Sequence, residues 1–155
     1  MFILCCNAIN QKQGALLGTL MVVDGQGGGI GRAIIKRLRD AFGEGVEILA
    51  LGTNSLATAQ MMKAGANRGA TGENAIVRTA PEANIIIGPL GIIIANAMMG
   101  EVTPDISKAI GSSKALKLLI PLTQERVEIM GLSVEPLPHL IEQVIDLIKE
   151  GEQGV

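Results

Sequence analysis

The chain has 155 residues, 48% of them apolar, enough to bury one hydrophobic core without disulfides or a structural metal. Aromatic side chains amount to 1%, Trp and Tyr are absent, and the net charge is −2, so neither base stacking nor attraction to a polyanion has the residues it needs, and nucleic acid is not an expected partner. Cys5 and Cys6 are neighbours, which suits neither a metal-ligand spacing nor a disulfide framework, and they read as free thiols.

Met1 to Cys6 are apolar but lack a basic flank, and Asn7 to Gln13 turn polar too soon for a signal sequence or a membrane span. The expected location is cytoplasmic, with no membrane contact. Residues 1–20 are set apart as an N-terminal extension, unordered or a mis-assigned start ahead of Met21; residues 21–150 form the domain and 151–155 a tail.

Strand one is predicted at Leu20 to Asp24. A helix follows over Ile30 to Phe42, where Ile30, Ile34, Leu38 and Ala41 share a buried face while Arg32, Lys36, Arg39 and Asp40 stay wet; Gly43 and Gly45 end it. Strand two is Val46 to Leu51. Thr53, Asn54 and Ser55 then offer N-cap oxygens to a second helix reaching Ala64, with Gly65 as its stop. A third strand is placed at Ala66 to Thr71, and a brief helix at Glu73 to Thr79 has Glu73 in its first turn. Asn84 to Gly88 reads as a buried strand. The apolar run Ile92 to Met99 is expected to form a buried or interface helix broken at Gly100, and Thr103-Pro104 starts another helix that ends near Gly111. Ala115 to Pro121 is a strand and Val127 to Leu132 an edge strand. The last helix, Leu137 to Lys149, turns Leu140, Ile141, Val144, Ile145 and Ile148 inward. This alternation predicts an α/β class protein: a three-layer Rossmann-like fold, a mostly parallel sheet of five to six strands with helices on both faces.

The most informative stretch is Asp24-Gly25-Gln26-Gly27-Gly28-Gly29-Ile30-Gly31, between the first strand and the first helix. Without Cβ atoms in the way, its N–H groups can converge on an oxyanion at the positive end of the helix dipole, so the natural guest is a phosphate. The alternative is a purely structural turn. The spacing Gly25-x-x-x-Gly29-x-Gly31 resembles the loop of the short-chain dehydrogenase/reductases, and Gly29-Ile30-Gly31-Arg32-Ala33-Ile34 resembles their helix start. That resemblance implies NAD or NADP as cofactor. The chain departs from it in three ways. It has no tyrosine for the Tyr-x-x-x-Lys proton donor of that superfamily. Asp24 stands where a small or hydroxyl residue is usual; its carboxylate would repel pyrophosphate unless neutralised by Mg²⁺ or turned to a ribose or a backbone N–H, and its other reading is a loop-stabilising acceptor. Finally, Leu51-Gly52-Thr53-Asn54-Ser55 offers no acid for the ribose 2′-OH of NAD and no base for the extra phosphate of NADP, which leaves the two cofactors open.

In open parallel sheets ligands lie beyond the carboxyl ends of the strands, so residues following strands join the loop as candidates. The cofactor-binding set is Gly25, Gln26, Gly27, Gly28, Gly29, Ile30, Gly31, Thr53, Asn54, Glu73, Asn74, Gly88 and Pro89, with Gly72 and Gly91 on the same rim. Helix capping is the competing account of Thr53, Asn54, Glu73 and Asn74. Asn96, the lone polar side chain in its apolar run, is expected to be buried, either in an internal hydrogen bond or facing the ligand. His139, the only histidine, is read as a surface or capping residue, and no His, Cys or acidic cluster has metal-ligand spacing. Met61, Met62, Met98 and Met99 are expected in the core or at a subunit contact.

From Met21 to Lys149 the chain also resembles a small bacterial family catalogued only as a domain of unknown function. The resemblance rests on the glycine loop, on Ala50 to Asn54, on Ala64 to Ala75, on Ile87-Gly88-Pro89-Leu90-Gly91-Ile92 and on Leu137-Pro138-His139-Leu140. It implies a Rossmann-like fold and brings no catalytic residue. Three functional expectations follow. The first is binding of a dinucleotide or adenine nucleotide, including a sensor role. The second is a small NAD(P)-dependent oxidoreductase whose pocket a second subunit completes, with Glu73, Asp24 and His139 as the residues to mutate. The third is a structural or interaction protein with a non-binding glycine turn. The apolar excess favours a homo-oligomer in each.

Overall fold

The computed structural model describes residues 18–153. Cys5, Cys6 and residues 1–17 of the expected extension lie outside the described residues. Four short runs rich in Ile, Leu and Val form β1 (Thr19–Asp24), β2 (Glu47–Gly52), β4 (Ile85–Pro89) and β5 (Leu116–Ile120), and the exposed Arg-Gly-Ala-Thr run forms β3 (Arg68–Thr71) at the edge of the sheet. All neighbours pair in parallel, in the order β3-β2-β1-β4-β5. β1 begins at Thr19, one residue before the predicted strand start at Leu20.

The period-2 alternation of the central strands feeds two core layers. Leu20 and Val22 of β1, with Ile85 and Ile87 of β4, face a layer closed by α1 (Gly29–Phe42), α2 (Ser55–Lys63) and α5 (Leu137–Gln153). Met21, Val23 and Ile86 face the opposite layer, closed by α3 (Glu73–Thr79) and α4 (Pro104–Ser112). Helices on both faces of a parallel sheet make the three-layer Rossmann-like α/β arrangement that the alternation predicts. The Arg37 guanidinium on α1 makes a two-pronged ion pair with Glu142 on α5, and Nη2 stands 3.0 Å from Oε2.

Two predicted elements do not form. Leu90–Ile93 is a single 3₁₀ turn and the chain from Ile94 to Gly100 continues in turns, so Ile92 to Met99 is not a helix. The buried residues there and just beyond are Ile92, Ala97 and Val102, five positions apart, which fits neither a helical stripe nor a strand face. Asn96 is exposed in a left-handed conformation (φ 65°) rather than buried. Val127 to Leu132 is likewise no strand. Residues 121–136, punctuated by Pro121, Gly131 and Pro136, carry no helix or strand, and Met130 is 78% exposed.

Arg39, expected to stay wet, is half-buried. It donates from Nε to the Gly65 carbonyl at 2.6 Å, from Nη1 to the carbonyls of Gly43 and Val46 at 2.9 Å each, and from Nη2 to Asn67 Oδ1. Met61 is in the core as expected, whereas Met62 and Met99 are exposed.

Candidate functional site

Because β2 and β3 continue from β1 in one direction while β4 and β5 lie in the other, connections leave β1 and β4 on opposite faces, and a crevice opens beyond their carboxyl ends. Its volume is about 550 Å³, inside the range of roughly 300–1,000 Å³ common for small-molecule sites. Asp24 and Ile30 come from the β1–α1 corner, Pro89 and Gly91 from the end of β4, and Gln124 and Glu125 from the chain after β5. Among the described residues lining it there is no lysine, arginine or histidine.

The corner itself is built around Asp24. Its side chain is only 4% exposed; Oδ1 accepts the Gly25 N–H at 2.8 Å and Oδ2 accepts the Gly31 N–H at 2.7 Å. Desolvation by burial pushes this carboxyl above its usual value, the N–H groups of Gly31, Gly25 and Ile30 hold it down, and the Glu101 charge adds to the rise. Asp24 is thus an acceptor fixed inside the loop. It faces the positive end of the α1 dipole where a bare loop would face an outside anion.

The loop glycines divide into two kinds. Gly28 caps α1 in a left-handed conformation (φ 72°), and a Cβ there would come within 2.7 Å of the Ala57 backbone; at Gly31 a Cβ would meet Met61 Sδ at 2.5 Å. These two serve packing. Gly27 and Gly29 are exposed, a Cβ on either would meet nothing within 4 Å, and among the described residues no acceptor meets their N–H groups. They are the open part of the loop.

Asn54 does cap a helix: Oδ1 accepts the Ala57 N–H at 2.9 Å at the start of α2. Its Nδ2 also donates to the Gln26 carbonyl at 2.9 Å and to Glu101 Oε1 at 2.5 Å. Thr53 Oγ1 donates to the same oxygen at 3.0 Å, and the Gln26 N–H reaches Oε2 at 3.1 Å. Thr53, Asn54 and Gln26 therefore converge on one carboxylate that arrives from the β4–α4 connection, 47 residues beyond Asn54.

Pro89 lines the crevice, while Gly88 meets a packing need, since a Cβ there would stand 2.4 Å from the Val23 carbonyl oxygen. Glu73 and Asn74 do not line it: Glu73 accepts the Thr103 hydroxyl and Asn74 is exposed. His139 is exposed at the start of α5. The contributors the sequence reading missed are Glu101, Gln124 and Glu125. Each lies in a segment without periodicity, and the usable signal was that Gln124 and Glu125 come shortly after the end of β5.

Fold and site together define an α/β protein of the Rossmann-like class with a glycine corner at the switch point of its sheet. The chain belongs to the family described as a domain of unknown function (DUF3842), which it matches over residues 19–153. No curated protein and no solved structure matches the chain. Among the described residues no helix is long and apolar enough to cross a membrane, and no group of three His, Cys, Asp or Glu side chains could hold a metal ion.

Proposed function

We propose that this protein binds an adenine nucleotide or a nicotinamide dinucleotide at the β1/β4 crevice, with phosphate over Gly27 and Gly29. The observation that carries this reading is a pair of exposed glycines whose N–H groups meet no acceptor among the described residues, each next in the chain to a residue, Gln26 or Ile30, that lines a crevice of ligand size. Asp24 stiffens the loop from beneath, so the open amides are held in place before a ligand arrives. Gln124 and Glu125 offer a donor and acceptors for ribose hydroxyls and an amino group. Among the described residues no cation lines the crevice, so backbone amides and the helix dipole would offset the phosphate charge there, and affinity would be modest.

A mononucleotide fits on the β4 side of the corner. NAD or NADP would need Met98 and Glu101 to move aside, because its adenosine half would reach Thr53 and Asn54 across Gly25 and Gln26, where those two side chains lie. With no tyrosine in the chain and no activity attached to the family, binding is the whole of the proposal and a reaction is not part of it.

The test is thermal unfolding with AMP, ADP, ATP, NAD, NADP and FAD. A ligand at a hundred times its Kd should stabilise the native state by about 2.7 kcal/mol, which corresponds to roughly 5–10 °C in a domain of this size. Gly29→Val places its side chain in open space over the loop, so it should leave the fold intact and abolish the shift. A shift that survives Gly29→Val puts the ligand elsewhere, and no shift with any nucleotide rejects the reading.

A further inference from the structure

The four residues Met98, Met99, Gly100 and Glu101 form a tip over the glycine corner, on a base that is rigid. Ala97 and Val102 are fully buried, the Val102 N–H donates to the Ala97 carbonyl at 3.1 Å, and the Asn96 N–H donates to the Val102 carbonyl at 2.7 Å. The tip is strained by contrast. Met98 and Met99 both hold left-handed backbone (φ 56° and 57°), which is costly for residues with a Cβ and persists only where other contacts hold it.

The contacts that hold it lie on both sides of the loop. The Met98 N–H donates to Glu125 Oε1 at 2.9 Å, and Met98 Sδ lies so close over Gly25 that a Cβ there would be 2.6 Å away. On the β2 side Glu101 takes the Gln26 N–H, the Thr53 hydroxyl and the Asn54 amide. Three donors from two different corners converging on one anionic group make an oxyanion seat, and the chain fills it with its own carboxylate.

Resting on the nucleotide reading, we infer that Glu101 is an internal competitor: the Gln26, Thr53 and Asn54 donors form a second anion subsite for the adenosine-side phosphate of a dinucleotide, and binding there requires the 98–101 tip to lift. The disagreement between the tip and an extended ligand is then a closing device. Removing the carboxylate frees the donors and takes away a contact that holds the strained backbone.

The experiment compares wild type with Glu101→Ala and Glu101→Gln by calorimetric titration of NAD and of AMP, together with NMR of the assigned Met98 and Met99 methyl groups. NAD should bind Glu101→Ala at least tenfold more tightly than wild type, with Glu101→Gln between them. AMP, which stays on the β4 side, should change by less than threefold. The Met98 methyl resonance of ligand-free Glu101→Ala should move in the same direction as that of wild type saturated with NAD. Weaker NAD binding in Glu101→Ala overturns the proposal and makes Glu101 a direct contact to ribose hydroxyls. An equal gain for AMP also overturns it, since loss of one negative charge would then explain everything. NAD binding that is unchanged removes the competitor role and leaves the nucleotide reading standing, whereas no nucleotide binding to any of the three proteins rejects both.

Discussion

The two ends of the sheet solve opposite problems with opposite charges. At the amino end, where α1 and α2 finish, surplus carbonyls collect around a donor: Arg39 serves Gly43, Val46 and Gly65. At the carboxyl end, where the helices begin, surplus N–H groups collect around acceptors: Asp24 takes Gly25 and Gly31, Glu101 takes Gln26, and Glu125 takes Met98. A parallel α/β fold sets all its helix dipoles one way, so one end calls for cations and amides and the other for anions. On the proposed reading an outside phosphate would compete at the second end, where it would meet the protein's own carboxylates.

The sharpest break in that comparison is Asp24→Ala. It leaves two buried N–H groups without an acceptor and strips the α1 terminus of its compensating charge, so urea unfolding should show a loss of about 3 kcal/mol. Arg39→Ala is the matching change at the closed end. Its partners are nearer to water, so the expected loss is about 2 kcal/mol, and nucleotide binding should stay as in wild type. A larger loss for Arg39→Ala than for Asp24→Ala would mean that the amino end, not the site, holds the fold together.

The smallest effect is a pH dependence, and its sign separates the two kinds of carboxylate. Asp24 has a raised value in the folded state, so the native protein binds its proton more tightly than the unfolded chain does. That contribution is fully present below pH 3.8 and is lost as pH rises through the raised value. Glu47 and Glu142 run the other way. Hydrogen bonds from Arg68 and Arg37 respectively lower them, so their contribution is present above pH 4.5 and lost as pH falls through the lowered values. The difference in unfolding free energy between wild type and Asp24→Asn, followed from pH 3 upward, should therefore shift against the wild type above about pH 3.8. A difference independent of pH would show that Asp24 is not perturbed by burial.

The architecture was legible wherever local periodicity and burial agreed. Strands β1, β2, β4 and β5, the helix starting at Thr103-Pro104 and the inward stripe of α5 follow from apolar runs, a capping pair and helical spacing, whereas β3, Arg-Gly-Ala-Thr, is an exposed edge strand with no such run. So did the glycine corner, since a strand, a side-chain-poor loop and a helix are consecutive in sequence. The predicted helix at Ile92 to Met99 failed because hydrophobicity alone does not say how a residue is buried. Ile92, Ala97 and Val102 anchor a turning chain one at a time, and the residues between them hold left-handed turns that no pattern announces.

By itself, then, the order of residues determined the parallel α/β framework and the place where backbone amides crowd together, because both arise between near neighbours along the chain. Which atoms meet those amides was decided only in three dimensions. Asp24 turning inward, and Glu101 and Glu125 arriving from the segments after β4 and β5, depend on long-range packing that brings helix starts and loop carboxylates to the same end of the sheet. Electrostatic demand at a helix terminus is local, but the group that satisfies it can come from anywhere the fold places one.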